Sequence, residues 1–203
     1  MDKIGKTYRN LKQEDPANLS ARDKILRTAI ILFNRGGVHT TGIDRIIAEA
    51  GVAKMTFYKH FPSKALLVQA YLEDQENACF LNMEHFTVQK SDDPTKQILG
   101  VFDFLEYWFK DPDFNGCPFA KGLSDFGEDK DSPEYQQVSA YFAKYASFFE
   151  QRLMKIMKPA KVKIAIPQLL SLVAGTITAA MVSGDSQVAQ VNKKIVPHIL
   201  ESV

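Results

Sequence analysis

The sequence predicts an all-α protein with a small amino-terminal helical domain and a larger carboxyl-terminal one. Apolar residues recur at helical period through nearly every segment, and no run alternates in the manner of a strand. Glycine and proline act as punctuation between these segments. With 203 residues and 45% hydrophobic composition, the chain is long enough to bury a core. Its charge division favours two domains over one.

The first three helices are predicted from their caps and turns. A capping box, Ser20 to Asp23, begins the first helix, which ends at Gly36 and Gly37. The segment Thr41 to Asp44 caps a second, and Gly51 supplies the sharp turn that a third, from Ala53 to Phe61, requires. The positions predicted to face inward on the first two helices are Ile25, Ala29, Leu32, Phe33, Ile43, Ile46, Ile47 and Ala50.

The remaining chain is predicted to form longer helices. Ser63, after Pro62, caps a fourth helix that extends to about residue 89. Further helices are expected over 95–110, 118–127, 134–157, 161–183 and 187–201. We therefore expect a polar arm over residues 1–19, a helix-turn-helix domain over 20–66 and a helical domain over 67–203. In the arm, Lys3, Lys6, Arg9 and Lys12 either touch a groove or are solvated.

Charge is divided unevenly although the net formal charge is only +1. Residues 20–64 carry eight Lys or Arg against three acids, whereas residues 65–203 carry thirteen against eighteen. A basic head on an acidic body indicates an anionic partner at one end of the molecule.

The predicted third helix can present a basic face while burying its aromatic residues. At 100° per residue, Ala53, Phe57 and Phe61 share one arc, with Thr56 and His60 on its border. The opposite arc carries Lys54, Met55, Tyr58 and Lys59. A short helix, an Ala-Gly turn and a second short helix with outward polar residues is typical of helix-turn-helix DNA-binding proteins. An ordinary amphipathic helix with a solvated basic face is the alternative.

The stretch TTGIDRIIAEAGVAKMTFYKHFPSKALL, residues 40–67, resembles the amino-terminal signature of the TetR family of transcriptional repressors. The resemblance extends over residues 22–70. It departs from the family pattern at Ile47, Ala53 and Met55, and the Ala53 change removes a capping bond of about 1 kcal/mol.

The resemblance implies a set of DNA contacts. Groove contacts are implied for Lys54, Met55, Thr56 and Lys59, and phosphate contacts for Thr41, Tyr58, His60 and Lys64. For His60, a packed residue bonded to backbone is an equal alternative. The resemblance also implies a homodimer that binds a palindromic double-stranded operator.

Aromatic residues concentrate in the carboxyl-terminal part, where fourteen of the 22 lie between Phe102 and Phe149. They either fill a small core or line a pocket for a hydrophobic or aromatic small molecule. The resemblance favours the pocket, since the family includes ligand-released repressors. The candidate lining residues are Phe102, Leu105, Trp108, Phe109, Cys117, Phe119, Phe126, Tyr141 and Tyr145.

Cys117 opens the helix that starts in the sequence NGCPF, and three roles are open to it. It is an inert buried thiol, a redox or electrophile sensor activated by the helix amino terminus, or, remotely, the nucleophile of a small enzyme. The four histidines are scattered with no linked spacing, which argues against an enzyme. No cofactor or metal site is expected, because neither cysteine has metal-ligand spacing.

The uncharged run of 21 residues from Ile164 to Gly184 is long enough to cross a bilayer. Its polar residues and the absence of a flanking basic loop or aromatic belt favour a buried or dimer-forming helix. We expect this helix and the last one to form a four-helix dimer interface. The candidate residues are Leu172, Gly175, Thr178, Ala179, Val191, Ile195 and Ile199. The first nineteen residues lack a secretory signal, so a cytoplasmic protein is expected.

Overall fold

The computed structural model describes residues 14–202, and within that range the chain folds into ten α-helices with no strand. A short 3-10 turn, Pro16–Asn18, precedes them. The all-helical fold class is therefore confirmed. In chain order the helices are α1 (Ala21–Gly36), α2 (Ile43–Ala50), α3 (Lys54–His60), α4 (Lys64–Phe86), α5 (Pro94–Phe109), α6 (Pro118–Phe126), α7 (Pro133–Leu153), α8 (Pro159–Ser183), α9 (Val188–Lys193) and α10 (Val196–Ser202).

The predicted single helix over 187–201 is wrong, because the chain forms two short helices there. Pro197 lies in the first turn of α10. Proline lacks the amide hydrogen that a continuous helix would use at this point, whereas the first turn of a new helix needs no such bond. The helix therefore stops before Ile195 and restarts at Val196.

Contacts within the chain define two compact units. The first unit contains the described residues up to Cys79 together with Pro118–Ser139, and the second contains Phe80–Cys117 together with the residues from Ala140 onward. Helices α4 and α7 contribute residues to both units. The functional division predicted at residue 66 stays a prediction.

The first unit is built on α1, whose buried stripe includes all four residues predicted for it. Helix α1 contacts both α2 and α3. Leu19, at the end of the predicted arm, is also buried, so that end of the arm packs on the domain. The arm residues Lys3, Lys6, Arg9 and Lys12 lie outside the described part of the chain.

The second unit packs α9 against both α5 and α8, and α10 against α8. An ion pair ties α9 to α5, with the Lys193 Nζ atom 2.6 Å from the Asp103 Oδ1 atom. The Gln190 amide donates to Asp103 at 2.9 Å and to Glu106 at 2.7 Å. Helix α5 also approaches the end of α4 closely at Gly100, where a Cβ atom would collide with the Phe86 carbonyl oxygen.

The hydrogen bonds of the Glu106 carboxylate should make the contact between α5 and α9 sensitive to acid. Its pKa is lowered chiefly by the hydrogen bond from Lys110, with further lowering by Gln190 and Gln187. A carboxyl whose folded pKa is depressed contributes stability above its unfolded pKa and loses it as pH falls through the folded value. We expect Glu106→Gln to lower the unfolding midpoint at pH 7, and the gap from wild type to close as the pH approaches 3. Thermal unfolding across this range measures both, and a gap independent of pH would contradict the assignment.

Helix α8 is the one helix of the described residues with the length and hydropathy to cross a membrane. Its most apolar window has a mean hydropathy of 1.7, and 28% of that window is buried. Apolar side chains near its carboxyl end are exposed, with Val182 at 86% and Met181 at 46%. The second unit therefore carries an apolar surface along α8.

Candidate nucleic-acid interface

Gly51, the residue that follows α2, makes the tight turn between α2 and α3. Gly51 adopts a left-handed backbone conformation with φ of 64°. Residues other than glycine rarely adopt this conformation. Its amide donates to the Ala48 carbonyl, and the Val52 amide donates to the Ile47 carbonyl. These bonds end α2 and redirect the chain within a few residues into α3.

The predicted cap of α2 is wrong. The N-cap residue is Gly42, which has no side chain to bond the first turn. Thr41 is instead 1% exposed, and its hydroxyl donates to the Gly37 carbonyl at 2.9 Å. The side chain thus ties the end of α1 to the start of α2. The buried Thr41 hydroxyl is therefore not exposed to a phosphate.

Helix α3 buries one aromatic edge. Phe57 is fully buried and Phe61 is 2% exposed, with their ring centroids 6.4 Å apart. The guanidinium of Arg22, on α1, lies 5.2 Å from the centre of the Phe61 ring. Ala53 does not share this buried edge as the spacing predicted. It is exposed, because its extended backbone places it before the helix as the N-cap.

The opposite face of α3 is open to solvent. Met55 is 88% exposed and Tyr58 is 41% exposed. Lys54 and Lys59 are exposed, and Thr56 and His60 are half-buried at the borders of this face. The exposed side chains can donate hydrogen bonds, carry positive charge or offer a flexible apolar contact. Each of these suits a base edge or a phosphate.

The start of α4 carries a further cation, Lys64, soon after the end of α3. Ser63 caps the helix by accepting a hydrogen bond from the Leu66 amide at 3.2 Å. Burial lowers the pKa of Lys64, and the nearby Asp125 carboxylate partly offsets that effect. A phosphate at this position would favour the charged form of the amine.

Two interactions of this region were not expected from the sequence. The Lys54 Nζ atom lies 3.4 Å from the Asp44 Oδ1 atom, which links the starts of α3 and α2. The Nε2 atom of His39 lies 2.7 Å from the backbone carbonyl oxygen of Asp125, at the end of α6. Because His39 and Asp125 are 86 positions apart, no periodic pattern in the sequence could have predicted this contact. Asp44 is in the first turn of α2, and this exposed acidic position was the one sequence signal for its ion pair with Lys54.

The residues predicted to line a ligand pocket are divided between the two units. Phe119 and Phe126 belong to the first unit and the other seven to the second. In the second, Trp108 stacks on Phe104 with a ring separation of 6.1 Å. Tyr141 and Tyr145 lie 5.5 Å apart, and each also contacts Phe80. Phe102 and Leu105 are fully buried, Cys117 is 5% exposed, and Phe109 contacts Phe114.

None of the seven residues predicted for a dimer interface is buried within this chain. Val191 is 61% exposed and Ile195 is 42% exposed. Gly175 and Thr178 are exposed as well, and an added Cβ atom at Gly175 would meet no atom within 4 Å. These residues lie on α8, α9 and α10, with Ile195 in the turn between the last two.

A buried aromatic edge, a left-handed turn and an exposed basic helix define a helix-turn-helix DNA-binding protein. The model of the family described as "Bacterial regulatory proteins, tetR family" matches residues 25–71. Over these residues the chain has the DNA-binding domain of TetR-family transcriptional regulators.

Relatives of known sequence agree with this assignment. The chain is 25% identical over 171 residues to the HTH-type transcriptional regulator LmrA of Bacillus subtilis, covering 82% of this chain and 89% of LmrA. It is 23% identical over 141 residues to IcaR of Staphylococcus aureus, a negative transcriptional regulator of the biofilm operon icaADBC, covering 68% and 74%. A 31% identical match to the uncharacterized regulator YerO of B. subtilis covers 38% of this chain but only 27% of YerO.

A solved structure extends the likeness to most of the fold. SCO4454, a TetR-family transcriptional regulator from Streptomyces coelicolor, superposes with a TM-score of 0.83 at 27% identity. The match covers 90% of this chain and 95% of that one.

Proposed function

We propose that the chain is a cytoplasmic, homodimeric repressor that binds a palindromic operator and is released by a hydrophobic or aromatic small molecule. The observation that carries this proposal is the exposed face of α3, held in place by Phe57 and Phe61. The name of IcaR supports negative regulation, since that relative is a negative regulator.

The proposed operator contacts come from α3 and the start of α4. Lys54, Met55, Thr56 and Lys59 face the major groove, which is about 12 Å wide and admits one helix. Tyr58, His60 and Lys64 contact phosphates on either side. The buried rings fix the rotation of α3, so these side chains enter the groove in one register.

Dimerisation is proposed to use the apolar surface of α8, α9 and α10. Exposed apolar area of this kind marks an interaction site when it is contiguous. Two copies related by a twofold axis would cover it and place two α3 helices on one duplex. Their half-sites would lie about 34 to 36 Å apart, or slightly more.

Val191→Asp combined with Ile195→Asp should dissociate this dimer, because a buried carboxylate facing apolar residues loses its hydration. We expect wild type to sediment at about twice its chain mass of 22.8 kDa and the variant at that mass. Val88→Asp, at a site 39% exposed on another segment, is the control and should stay dimeric. A dimeric double variant would remove these residues from the interface.

The ligand is proposed to bind among the aromatic residues of the second unit. Helix α4 carries residues of both units, so a ligand that favours one arrangement of this helix can alter the spacing of the paired heads. A coupling of about 1 to 3 kcal/mol would reduce operator affinity roughly 5- to 150-fold.

The thiol-sensor alternative is less favoured by the site. Cys117 is 5% exposed, whereas sensor thiols are typically accessible as thiolates. The enzyme alternative is also less favoured than a transcriptional regulator, because the fold and the relatives are those of transcriptional regulators.

Binding of the purified full chain to fragmented genomic DNA tests the proposal. We expect enrichment of a few palindromic sites next to regulated genes, and release of those fragments by at least one compound in a screen of hydrophobic molecules. Uniform recovery of all fragments would refute sequence-specific binding. Specific sites that no compound releases would refute the ligand response alone.

A further inference from the structure

An acidic side chain lies beside the first lysine of α3. Asp44 is in the first turn of α2, and its Oδ1 atom is 3.4 Å from the Lys54 Nζ atom. The two side chains are 87% and 67% exposed. Because Lys54 opens the helix proposed to enter the groove, the Asp44 carboxylate lies at the same DNA-facing edge.

The other two acids of residues 20–64 are engaged elsewhere. Asp23 is buried, and its carboxylate accepts a hydrogen bond from the Ser20 hydroxyl. The Asp23 backbone amide donates to the same Ser20 oxygen at the start of α1. Glu49 pairs with Arg45 on α2 at 2.8 Å. Within α1, α2 and α3, Asp44 is therefore the acid whose ion pair reaches α3.

A carboxylate at this position is repelled by phosphates, so its favourable partner on DNA is a base-edge donor. In the major groove, cytosine offers such a donor at N4, and guanine offers acceptors at O6 and N7. Within one G·C pair, cytosine N4 and guanine O6 are hydrogen-bonded to each other, which places them about 2.9 Å apart. An ammonium and a carboxylate 3.4 Å apart match this acceptor and donor in spacing and in charge.

We propose that Asp44 and Lys54 together form a specificity-determining pair that reads one G·C base pair in each operator half-site. The inference rests on the proposed function, because it assigns a role within operator recognition. Lys54 donates to guanine, and Asp44 accepts from the cytosine amino group. A T·A pair also places an acceptor, thymine O4, beside a donor, adenine N6, but it carries the thymine methyl group on the side where a G·C pair offers guanine N7. An ammonium that donates to O6 and N7 together therefore distinguishes G·C from T·A.

Selection from a random double-stranded DNA library tests the pair with the full chain. Wild type is compared with Asp44→Asn, Lys54→Gln and the double variant. Glu49→Gln is the matched control, since it removes the same charge from the same helix. We expect wild type and the control to enrich G·C at one position of each half-site. Asp44→Asn should lose that preference by at least about fivefold, with the other positions unchanged.

Fluorescence anisotropy on two probes that differ only at this base pair gives the second readout. The double variant should lose no more discrimination than the stronger single variant, because the two residues act on one base pair. Asp44→Ala replaces Asp44→Asn if circular dichroism shows that the latter is unfolded.

Two results would overturn the inference in different ways. If Asp44→Asn tightens binding to all sequences equally and keeps the base preference, Asp44 merely neutralises Lys54, and the proposed function stands. If wild type itself enriches no sequence, the proposed function fails and the pair fails with it.

Discussion

Replacing Lys54, Lys59 and Lys64 together with alanine is expected to reduce operator affinity at least about 100-fold near 0.15 M salt. Each lost phosphate contact lowers the slope of log affinity against log salt by about 0.9. A dimer loses two phosphate contacts if Lys64 alone reaches a phosphate in each subunit and six if all three lysines do, so the slope should be less steep by about 2 to 5. Binding measured from 50 to 300 mM salt gives both quantities.

The matched control for this variant lies in the second unit. Lys155, Lys158 and Lys161 are exposed, and their triple alanine variant removes the same charge from outside the proposed interface. It should bind with nearly wild-type affinity and slope. Equal losses in the two triple variants would show that net charge, rather than the α3 face, drives binding. Unchanged regulatory activity in the first variant would favour a protein-interaction adaptor whose helix-turn-helix no longer binds DNA.

Replacing Phe57 with alanine should cost about 3 to 5 kcal/mol of unfolding free energy, because the ring is fully buried and its removal leaves a cavity. In a chain of this length we expect the unfolding midpoint to fall by about 6 to 20 °C. DNA binding should fall with it, since the ring fixes the rotation of α3. Thermal unfolding followed by circular dichroism measures the first effect.

Met55→Ala, on the same helix, is the control for that measurement. Met55 is 88% exposed, so its truncation should change the unfolding free energy by less than about 0.5 kcal/mol. If the Phe57 variant unfolded at the control's temperature, the ring would not brace the helix. The proposed fixed register of the DNA contacts would then lose its physical basis.

The sequence predicted the elements whose signals are local. The Ser20 cap, the buried stripe of α1 and the Gly51 turn are each set by residues within a few positions of one another. The exposed face of α3 followed from helical period together with two buried rings. Such features need only neighbouring residues to specify them, so the pattern was sufficient.

The sequence did not predict features that depend on a competing partner. Threonine is a common N-cap residue, but the Thr41 hydroxyl donates to the Gly37 carbonyl instead, and Gly42 occupies the N-cap position of α2. Ala53 has the right period to face inward, yet it precedes the helix and so does not follow its period. The break before Val196 depends on Pro197, whose effect falls on the preceding turn.

The contact between Arg22 and Phe61 has a consequence for how such a regulator can be switched. Phe61 is the first residue after α3, and the contact holds it against the first turn of α1. The other end of α3 is held by the turn at Gly51. With both ends of α3 secured, the three helices should move as a stiff block. An effector is then better able to change the reach between two such blocks than to loosen either one.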